Sequence, residues 1–330
     1  MPYEELEELR SDVLIVVHDH QVPLDGGWTD PVWAAVRTEL GVPDKRRSRP
    51  WKWRFDEYER DLWVQKLRQD ARDQPWLLVP DVYPYKAGDF LGHEIEGGRS
   101  VLLFHAKVRL NTGGPTMPAL AVARDLVEIV APRLVLSVGL GGGVLPTDMA
   151  GDVVVSNAAR LRLRGCLEGA RLNGQTCGGR LAIEPRWFEG LALEAMDEPP
   201  LIAPSPNYQD AGSPIHPDLV RDPEVIVRQA PVITSPLLSE HGFQVAGLTG
   251  SSALADEAAA VDMDAAATAH ACGSDVDFCA VIGVAVPALD QLEGDLDHAI
   301  RDAWTEVFMQ RHARQAAANA AAAVRRIIEV

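Results

Sequence analysis

The chain has 330 residues, of which 31 are lysine or arginine and 48 are aspartate or glutamate, so its formal net charge is −17. Hydrophobic residues make up 47% and charged residues 24%, as in a globular protein with a sizeable buried core. The acidic balance argues against a broad surface for nucleic acids or anionic membranes, because the long-range field repels phosphates. A small ligand in a local pocket remains compatible with this charge.

The cysteines and the first residues both favour a cytoplasmic protein. Cys166, Cys177, Cys272 and Cys279 show no CxxC spacing and no zinc pattern with histidine, so we interpret them as buried thiols in a reducing compartment. The acidic stretch MPYEELEELRSD has no apolar region of the signal-peptide type. No apolar run approaches the roughly 18 residues that span a bilayer, so we expect no membrane partner.

Apolar runs and helical periodicity alternate along the chain. DVLIVVHDH (12–20) predicts a buried first strand, since a continuous β-branched run is typical of a sheet covered on both faces. TMPALAVARDLVEIV (116–130) predicts a helix with a threonine cap and an early proline. The further predicted strands are QPWLLVPDV, RSVLLFHAKV, RLVLSV, DVVVS and DFCAVIGVAV, and the further predicted helices are MDAAATAHACG and residues 302–330. This alternation predicts an α/β three-layer sandwich, with a mostly parallel, twisted central sheet flanked by helices.

A single domain over residues 1–330 is expected, with two insertions. Residues 41–76 combine several tryptophans with the basic cluster DKRRSRPWKWR, and residues 196–236 are dense in proline. We interpret both as excursions from one core. The basic cluster is either a solvated face or a clamp for ligand phosphates, if it folds over a pocket.

A glycine-rich stretch, VGLGGGVLPTDMAGDVVVS (138–156), connects two of the predicted strands. A dinucleotide-binding fingerprint has its third glycine where this chain has Val144, and no crossover helix fits between Gly143 and Val153. The Gly-Lys-Ser/Thr triplet of a P-loop is also absent. The glycines therefore indicate either a backbone surface for a base or sugar, or a structural bend between strands.

A second stretch, AVDMDAAATAHAC (260–272), places two carboxylates where a strand or turn leads into an alanine-rich helix. A carboxylate there can accept two hydrogen bonds from the vicinal hydroxyls of a sugar, and Met263 offers an adaptable apolar surface to a furanose. In the alternative interpretation, Asp262 or Asp264 caps the helix while Met263 fills the core.

These stretches together resemble the nucleoside phosphorylase superfamily, and within it the methylthioadenosine/adenosylhomocysteine nucleosidases and related nucleoside hydrolases. LNTGGPTMPALAVARDLVEIVAPRLVLSVGLGGG is similar to the family's helix and glycine-rich strand, GGVLPTDMAGDVVVSNAAR to its continuation, and AVDMDAAATAHAC to its Val-Glu-Met-Glu stretch. The similarity covers roughly residues 105–165 and 230–292. It implies a nucleoside phosphorylase-like fold, a homo-oligomer of two or more subunits, a nucleoside or nucleotide as ligand, and no cofactor.

The resemblance also implies which residues bind the substrate. Met263 and Asp264 would hold the sugar, with Asp264 standing where the family has the longer glutamate, so the ribose must sit closer or a water must intervene. The full set implied by the resemblance consists of Leu140, Gly141, Gly142, Gly143, Met263 and Asp264, with Phe243 as a candidate to stack on the base.

Two departures from the family concern catalysis. The family's aspartate, which protonates the purine at N7, falls on Pro287 in an ungapped comparison, and Asp290 is the nearest carboxylate. The family's glutamate that activates water follows the first strand, where this chain offers Asp19 or His20. Each general acid or base contributes roughly 10²–10⁴-fold to the rate, so we expect Asp290 and one of Asp19 and His20 to carry any catalysis.

The sequence thus predicts a nucleosidase that cleaves the N-ribosidic bond of a purine nucleoside or nucleotide. The glycine-rich stretch has no arginine near its glycines to anchor phosphate, which favours hydrolysis over phosphorolysis. One alternative, motivated by Pro287, is a non-catalytic or altered nucleoside-binding protein of the same fold. The other is a metal-dependent hydrolase that uses His18 and His20, a pair that needs a third ligand to complete a site.

Overall fold

The structure is a computed structural model. It describes residues 9–18, 22–24, 27–42, 49–53, 85–94, 99–107, 118–145, 147–162, 172–195, 221–234, 257–286 and 298–330. The predicted strand QPWLLVPDV lies outside these residues.

The described residues form a sheet-centred arrangement of strands and helices. The strands are β1 (Val13–His18), β2 (Val22–Leu24), β3 (Gly27–Thr29), β4 (Arg49–Trp53), β5 (Tyr85–Glu94), β6 (Ser100–Ala106), β7 (Leu134–Gly142), β8 (Val153–Ser156), β9 (Ala158–Leu161), β10 (Thr176–Gly178), β11 (Val225–Val227), β12 (Val232–Thr234), β13 (Val261–Asp262) and β14 (Asp277–Val286). The α-helices are α1 (Pro31–Glu39), α2 (Pro118–Val130), α3 (Ala265–Cys272) and α4 (His298–Glu329), and a short 3-10 helix spans Pro185–Phe188.

Twelve strands belong to one sheet, and β2 and β3 form a separate hairpin. The centre of the twelve-stranded sheet is parallel, in the order β6, β1, β7, β14. Antiparallel strands extend it on both sides, with β5 and β4 beyond β6, and β8 beyond β14. A branch made of β13, β12, β9 and β10 joins at the last residue of β7, where Val261 pairs antiparallel with Gly142.

Helices cover both faces of this sheet. On one face, α2 and α3 pack over an apolar cluster that includes Leu14, Val16 and Phe104. On the other face, α1 and α4 pack over a second cluster, which includes Val13, Ile15 and Val17 from the same strand β1. Alternate residues of one strand therefore enter opposite clusters, as the two-residue period of a strand requires. The predicted three-layer α/β sandwich is confirmed, and its parallel part is the centre of the sheet.

Most predicted elements have the expected positions. All six residues of β1 are buried, and α2 buries Val122, Leu126 and Val130 at helical spacing. One boundary differs: the sequence ends the predicted strand RLVLSV at residue 138, whereas β7 continues through the glycines to Gly142.

The two predicted insertions both contain described strands. β4 lies within residues 41–76 and pairs with β5 at the end of the sheet. β11 and β12 lie within residues 196–236 and pair with β8, β9 and β13. The structure describes residues 41–42 and 49–53 of the first stretch and residues 221–234 of the second, and the rest of both stretches lies outside the described residues. The division into one core and two insertions stays a prediction.

Candidate functional site

The four central strands end at the same edge of the sheet, and a cleft opens there on the face of α2 and α3. In open α/β sheets, ligands bind at the carboxyl ends of the parallel strands. Most of the cleft wall is apolar, and three polar side chains reach it: His18 from β1, and Asp264 and Thr268 from α3. The remaining lining residues are Val16, Phe104, Ala106, Ala119, Val122, Ala123, Leu126, Val127 and Ala267.

The first turn of α3 is capped by side chains other than that of Asp264, the residue at its N-cap position. Asp262 Oδ2 accepts hydrogen bonds from the backbone N–H groups of Ala265, at 2.7 Å, and Asp264, at 3.3 Å. The hydroxyl of Thr234 on β12 accepts from Ala266 N at 2.9 Å and donates to Asp262 Oδ1 at 2.5 Å. Side chains from two neighbouring strands therefore satisfy the N–H groups that a helix start leaves open.

Asp264 is consequently not needed as a cap. It occupies the N-cap position of α3, yet its side chain makes no capping hydrogen bond and lines the cleft. Only 2% of the residue is exposed. The positive end of the helix dipole favours a carboxylate at this place.

Burial dominates the electrostatics of Asp262. It raises the pKa of this carboxyl to about 7, the hydrogen bond from Thr234 acts in the opposite direction, and the charge of Asp264 raises the pKa further. The charge of Asp264 thus disfavours the ionised form of Asp262, whereas the three hydrogen-bond donors around Asp262 favour it.

His18 is the last residue of β1 and lines the cleft together with residues at the start of and within α3. Its Nε2 is 2.9 Å from the hydroxyl oxygen of Ser137 on β7, and both residues are buried. This hydrogen bond helps to orient the imidazole, which lines the cleft. The donor and acceptor roles depend on which nitrogen of the ring carries the proton.

The glycines of β7 serve the packing of two strands. A Cβ on Gly141 would lie 2.3 Å from the carbonyl oxygen of Val261, so a side chain there would push β13 away from β7. Gly142 pairs with Val261 directly. The side chain of Leu140 packs in the cluster under α1 and α4, on the other face from the cleft. The side chain of Leu140 therefore points away from this cleft, and only its backbone could contact a ligand there.

Two buried aspartates hold the loop that follows the glycines. Asp148 Oδ2 accepts from Val144 N at 2.8 Å and Leu145 N at 2.9 Å, and its carboxylate is paired with Arg228. Asp152 Oδ2 accepts from Met149 N at 2.8 Å and is paired with Arg221 at 2.6 Å. Both carboxylate side chains are fully buried.

Solved structures match this chain over nearly their whole length, although no protein-family model and no curated protein sequence matches it. The 5′-methylthioadenosine/S-adenosylhomocysteine nucleosidase of Helicobacter pylori, solved with butyl-thio-DADMe-Immucillin-A, is 10% identical with a TM-score of 0.52, and the match covers 97% of this chain and 99% of that one. The futalosine hydrolase of H. pylori strain 26695 has the same identity, TM-score and coverage. The nucleosidase of Neisseria meningitidis, solved with methylthio-immucillin-A, is 12% identical with a TM-score of 0.50, covering 96% and 99%.

The chain has the fold of these nucleosidases. The fold expected from the glycine-rich stretch and the Val-Asp-Met-Asp stretch is thereby confirmed. Because one fold can carry many reactions, the activity has to be argued from the site itself.

Within the nucleosidase fold, the two halves of the predicted sugar site are brought together. The end of β7, with Gly141 and Gly142, contacts β13, and β13 leads directly into Met263 and Asp264. Met263 is buried, with 3% of its surface exposed, and is not one of the side chains that line the described cleft. Gly143 lies against Asp148, whose Cβ would be 2.5 Å from a Cβ on the glycine.

The predicted catalytic residues cannot be placed in the same way. Asp19, His20 and Asp290 lie outside the described residues, as do Pro287 and Phe243. Their roles stay predictions.

Several residues of the site were missed in the sequence. Thr234 and Ser137 act through hydrogen bonds to Asp262 and His18, which are distant in sequence, and no local pattern marks them. Thr268 could have been found, because it lies four residues after Asp264 and so on the same face of a helix.

Two further sequence expectations bear on this site. In the part of the chain that the structure describes, no three His, Cys, Asp or Glu side chains are grouped so that they could hold a metal ion. His18 of the alternative metal pair contacts Ser137, and its proposed partner His20 is among the residues that are not described. None of the described helices combines the length and apolarity of a membrane span.

Proposed function

We propose that this protein is a nucleosidase that hydrolyses the N-ribosidic bond of a purine nucleoside or nucleotide. The observation that carries the proposal is the position of Asp264. Its buried carboxylate makes no capping hydrogen bond, because Asp262 and Thr234 cap the helix. It lines a mostly apolar cleft at the edge of the sheet where the parallel strands end. A carboxylate in such surroundings is suited to accept hydrogen bonds from two adjacent ribose hydroxyls.

The cleft chemistry suits the binding of a nucleoside. A base and a furanose ring are largely apolar on their faces, and the lining residues of α2 and β6, together with Val16 of β1, are apolar. The polar side chains in the lining are few: His18 comes from β1, and Asp264 and Thr268 come from the N-cap and the body of α3. β13, which leads into Met263 and Asp264, pairs with the glycine end of β7 through Val261 and Gly142.

In the proposed reaction, the bond between C1′ of the ribose and the base nitrogen breaks, and its electron pair goes to the base. A proton is added to the base, and a water molecule bonds through its oxygen to C1′ and loses a proton, so the products are the free base and ribose. Asp264 holds the sugar as C1′ becomes positively charged. Asp290 is the proposed donor to the base, and Asp19 or His20 the proposed acceptor of the proton from water.

A substrate panel tests this function. The purified protein is incubated with adenosine, methylthioadenosine, adenosylhomocysteine and purine nucleotides, each with and without phosphate, and free base is measured by chromatography. Base release that does not need phosphate supports the proposal. Release only with phosphate would identify a phosphorylase instead. Binding of the same compounds without any release would favour a nucleoside-binding protein.

The role of Asp290 has its own test. Asp290→Asn keeps the size of the side chain and removes the acid, so base release should fall by about 10²-fold or more with ligand affinity unchanged. Asp295→Asn, in the same stretch, is the matched control and should leave turnover within about threefold of the parent protein. Unchanged turnover in Asp290→Asn would assign the acid to another group.

A further inference from the structure

Arg228 joins two parts of the chain that the proposed site needs at a fixed separation. One nitrogen of its guanidinium donates to Asp148 Oδ2 at 2.8 Å and to the carbonyl oxygen of Ala259 at 2.6 Å, and the other nitrogen donates to Asp148 Oδ1. The Arg228 side chain is 14% exposed, so water screens these bonds little. Such a forked arrangement is specific to arginine.

Each partner of Arg228 leads to one half of the site. Asp148 holds Val144 N and Leu145 N, and these residues directly follow the glycine end of β7. Ala259 is followed by β13, which carries Asp262 and leads to Asp264. An apolar cluster of Val144, Ile233, Ala258 and Val261 packs the same two segments together.

A second arginine provides a contrast. Arg221 also binds a fully buried aspartate, Asp152, through both guanidinium nitrogens, at 2.9 and 2.6 Å. Its other contacts are the carbonyl oxygens of Thr147 and Asp222 and the carboxylate of Glu224. Among the residues that the structure describes, the contacts of Arg221 therefore lie on the loop and on residues 221–224, and none reaches the segment that leads into β13.

We propose that Arg228 is a positioning residue of the nucleosidase site, which sets the separation between the glycine end of β7 and the carboxylate of Asp264. The inference rests on the proposed function, because it assumes that both halves contact one riboside. A displacement of about 1 Å in such a site can cost roughly 10²-fold in rate. Arg228 thus acts on the substrate through Asp148 and β13, without touching it.

The test uses Arg228→Lys and its matched control Arg221→Lys. Lysine keeps the charge that the buried aspartate requires, which protects folding, but a single ammonium cannot reproduce the fork. Adenosine and adenine affinities are measured by calorimetry for both variants. We expect Arg228→Lys to weaken adenosine by about tenfold and adenine by less than about threefold, and Arg221→Lys to change both by less than about threefold.

Hydrogen exchange supplies a readout that does not depend on ligand binding. The amides of Ala265 and Ala266 are held by Asp262 and Thr234, so their exchange reports on the junction of β13 and α3. In Arg228→Lys it should be about tenfold faster than in the parent protein, and in Arg221→Lys nearly unchanged.

The outcomes separate the two proposals. Equal losses of adenosine and adenine affinity, or unchanged exchange in Arg228→Lys, would overturn the role of Arg228. If the parent protein binds neither adenosine nor methylthioadenosine, the proposed function fails, and the exchange comparison still decides whether Arg228 controls this junction.

Discussion

At the start of α3, Asp262 and Asp264 carry the same functional group in different surroundings. The sequence leaves open which of them caps the helix, because both stand before an alanine-rich stretch. In the structure the two N–H donors and the hydroxyl of Thr234 converge on Asp262, and Asp264 lines the cleft. Which of the two carboxylates caps the helix depends on Thr234, which lies on a strand 28 residues earlier, so no local pattern could predict it.

Substitution of Asp264 should separate sugar binding from base binding. In Asp264→Ala, the ribose hydroxyls lose their acceptor, so adenosine binding should weaken by about 1–3 kcal/mol while adenine binding changes little. Calorimetry with both ligands measures this difference. Asp275→Ala, in the exposed turn that follows the same helix, is the control and should leave both affinities unaltered. Equal losses for adenosine and adenine in Asp264→Ala would mean that its carboxylate does not bind the sugar.

Asp262 should make the stability of the protein depend on pH. Burial raises its folded-state pKa from 3.8 to about 7, so the contribution of this carboxyl is fully present below pH 3.8 and is lost as the pH rises through about 7. The stability of the parent protein relative to Asp262→Asn should therefore decrease between pH 4 and pH 8, by a few kcal/mol. Urea unfolding at several pH values measures it.

Asp12 provides the control for this titration. Hydrogen bonds from Ser100 lower the pKa of Asp12, so its contribution is lost only as the pH falls below 3.8. The difference in stability between the parent protein and Asp12→Asn should be constant from pH 5 to pH 8. Parallel curves for the parent protein and Asp262→Asn over the same range would contradict the raised pKa of Asp262.

Among the elements, those with a strong local pattern are the ones the sequence predicts. The continuous apolar runs of β1 and β14 and the periodic α2 and α4 are each long enough to decide their own structure. By contrast, β11, β12 and β13 contain only two or three residues each and exist through pairing with β8, β9 and β7. The extension of β7 through its glycines likewise depends on β13, since Gly141 leaves room for Val261.

The packing of α4 against β14 should be sensitive to one added methyl group. A Cβ on Gly283 would lie 2.3 Å from the carbonyl oxygen of Ala316, so Gly283→Ala forces the helix away from the sheet. We expect a loss of about 1–3 kcal/mol in the free energy of unfolding, measured by urea denaturation. Gly92→Ala in β5 is the control, because its Cβ would meet only Leu102 at 3.9 Å. A loss equal to that of the control would refute the close contact.

The net charge of −17 acts on ligands at the scale of the whole molecule. It repels anions over the Debye length, which is about 30 Å at 0.01 M salt and about 8 Å at 0.15 M. The same field leaves an uncharged nucleoside unaffected. The basic cluster DKRRSRPWKWR would instead attract anions locally if it lay over the cleft.

Salt should therefore separate nucleotides from nucleosides. At 0.01 M salt, we expect AMP to associate more slowly than adenosine, with a gap that narrows as salt is raised to 0.15 M. Stopped-flow association measurements at both salt concentrations give the comparison. The opposite result, faster AMP association that weakens with salt, would assign the basic cluster to phosphate binding.

Both ends of the loop between β7 and β8 are hydrogen-bonded to the end of β14. Gly143 N donates to the carbonyl oxygen of Val286 at 2.9 Å, and Gly151 N to that of Val284 at 2.8 Å. The chain therefore leaves β14 from an anchored point, whatever residues follow. In evolutionary terms, this makes the reaction and the recognition of the ligand separable traits. Under the proposed function, an acid in the stretch after Val286 could be lost or regained by point mutation while ligand binding in the cleft is retained, so catalysts and pure binders could descend from one another on this scaffold.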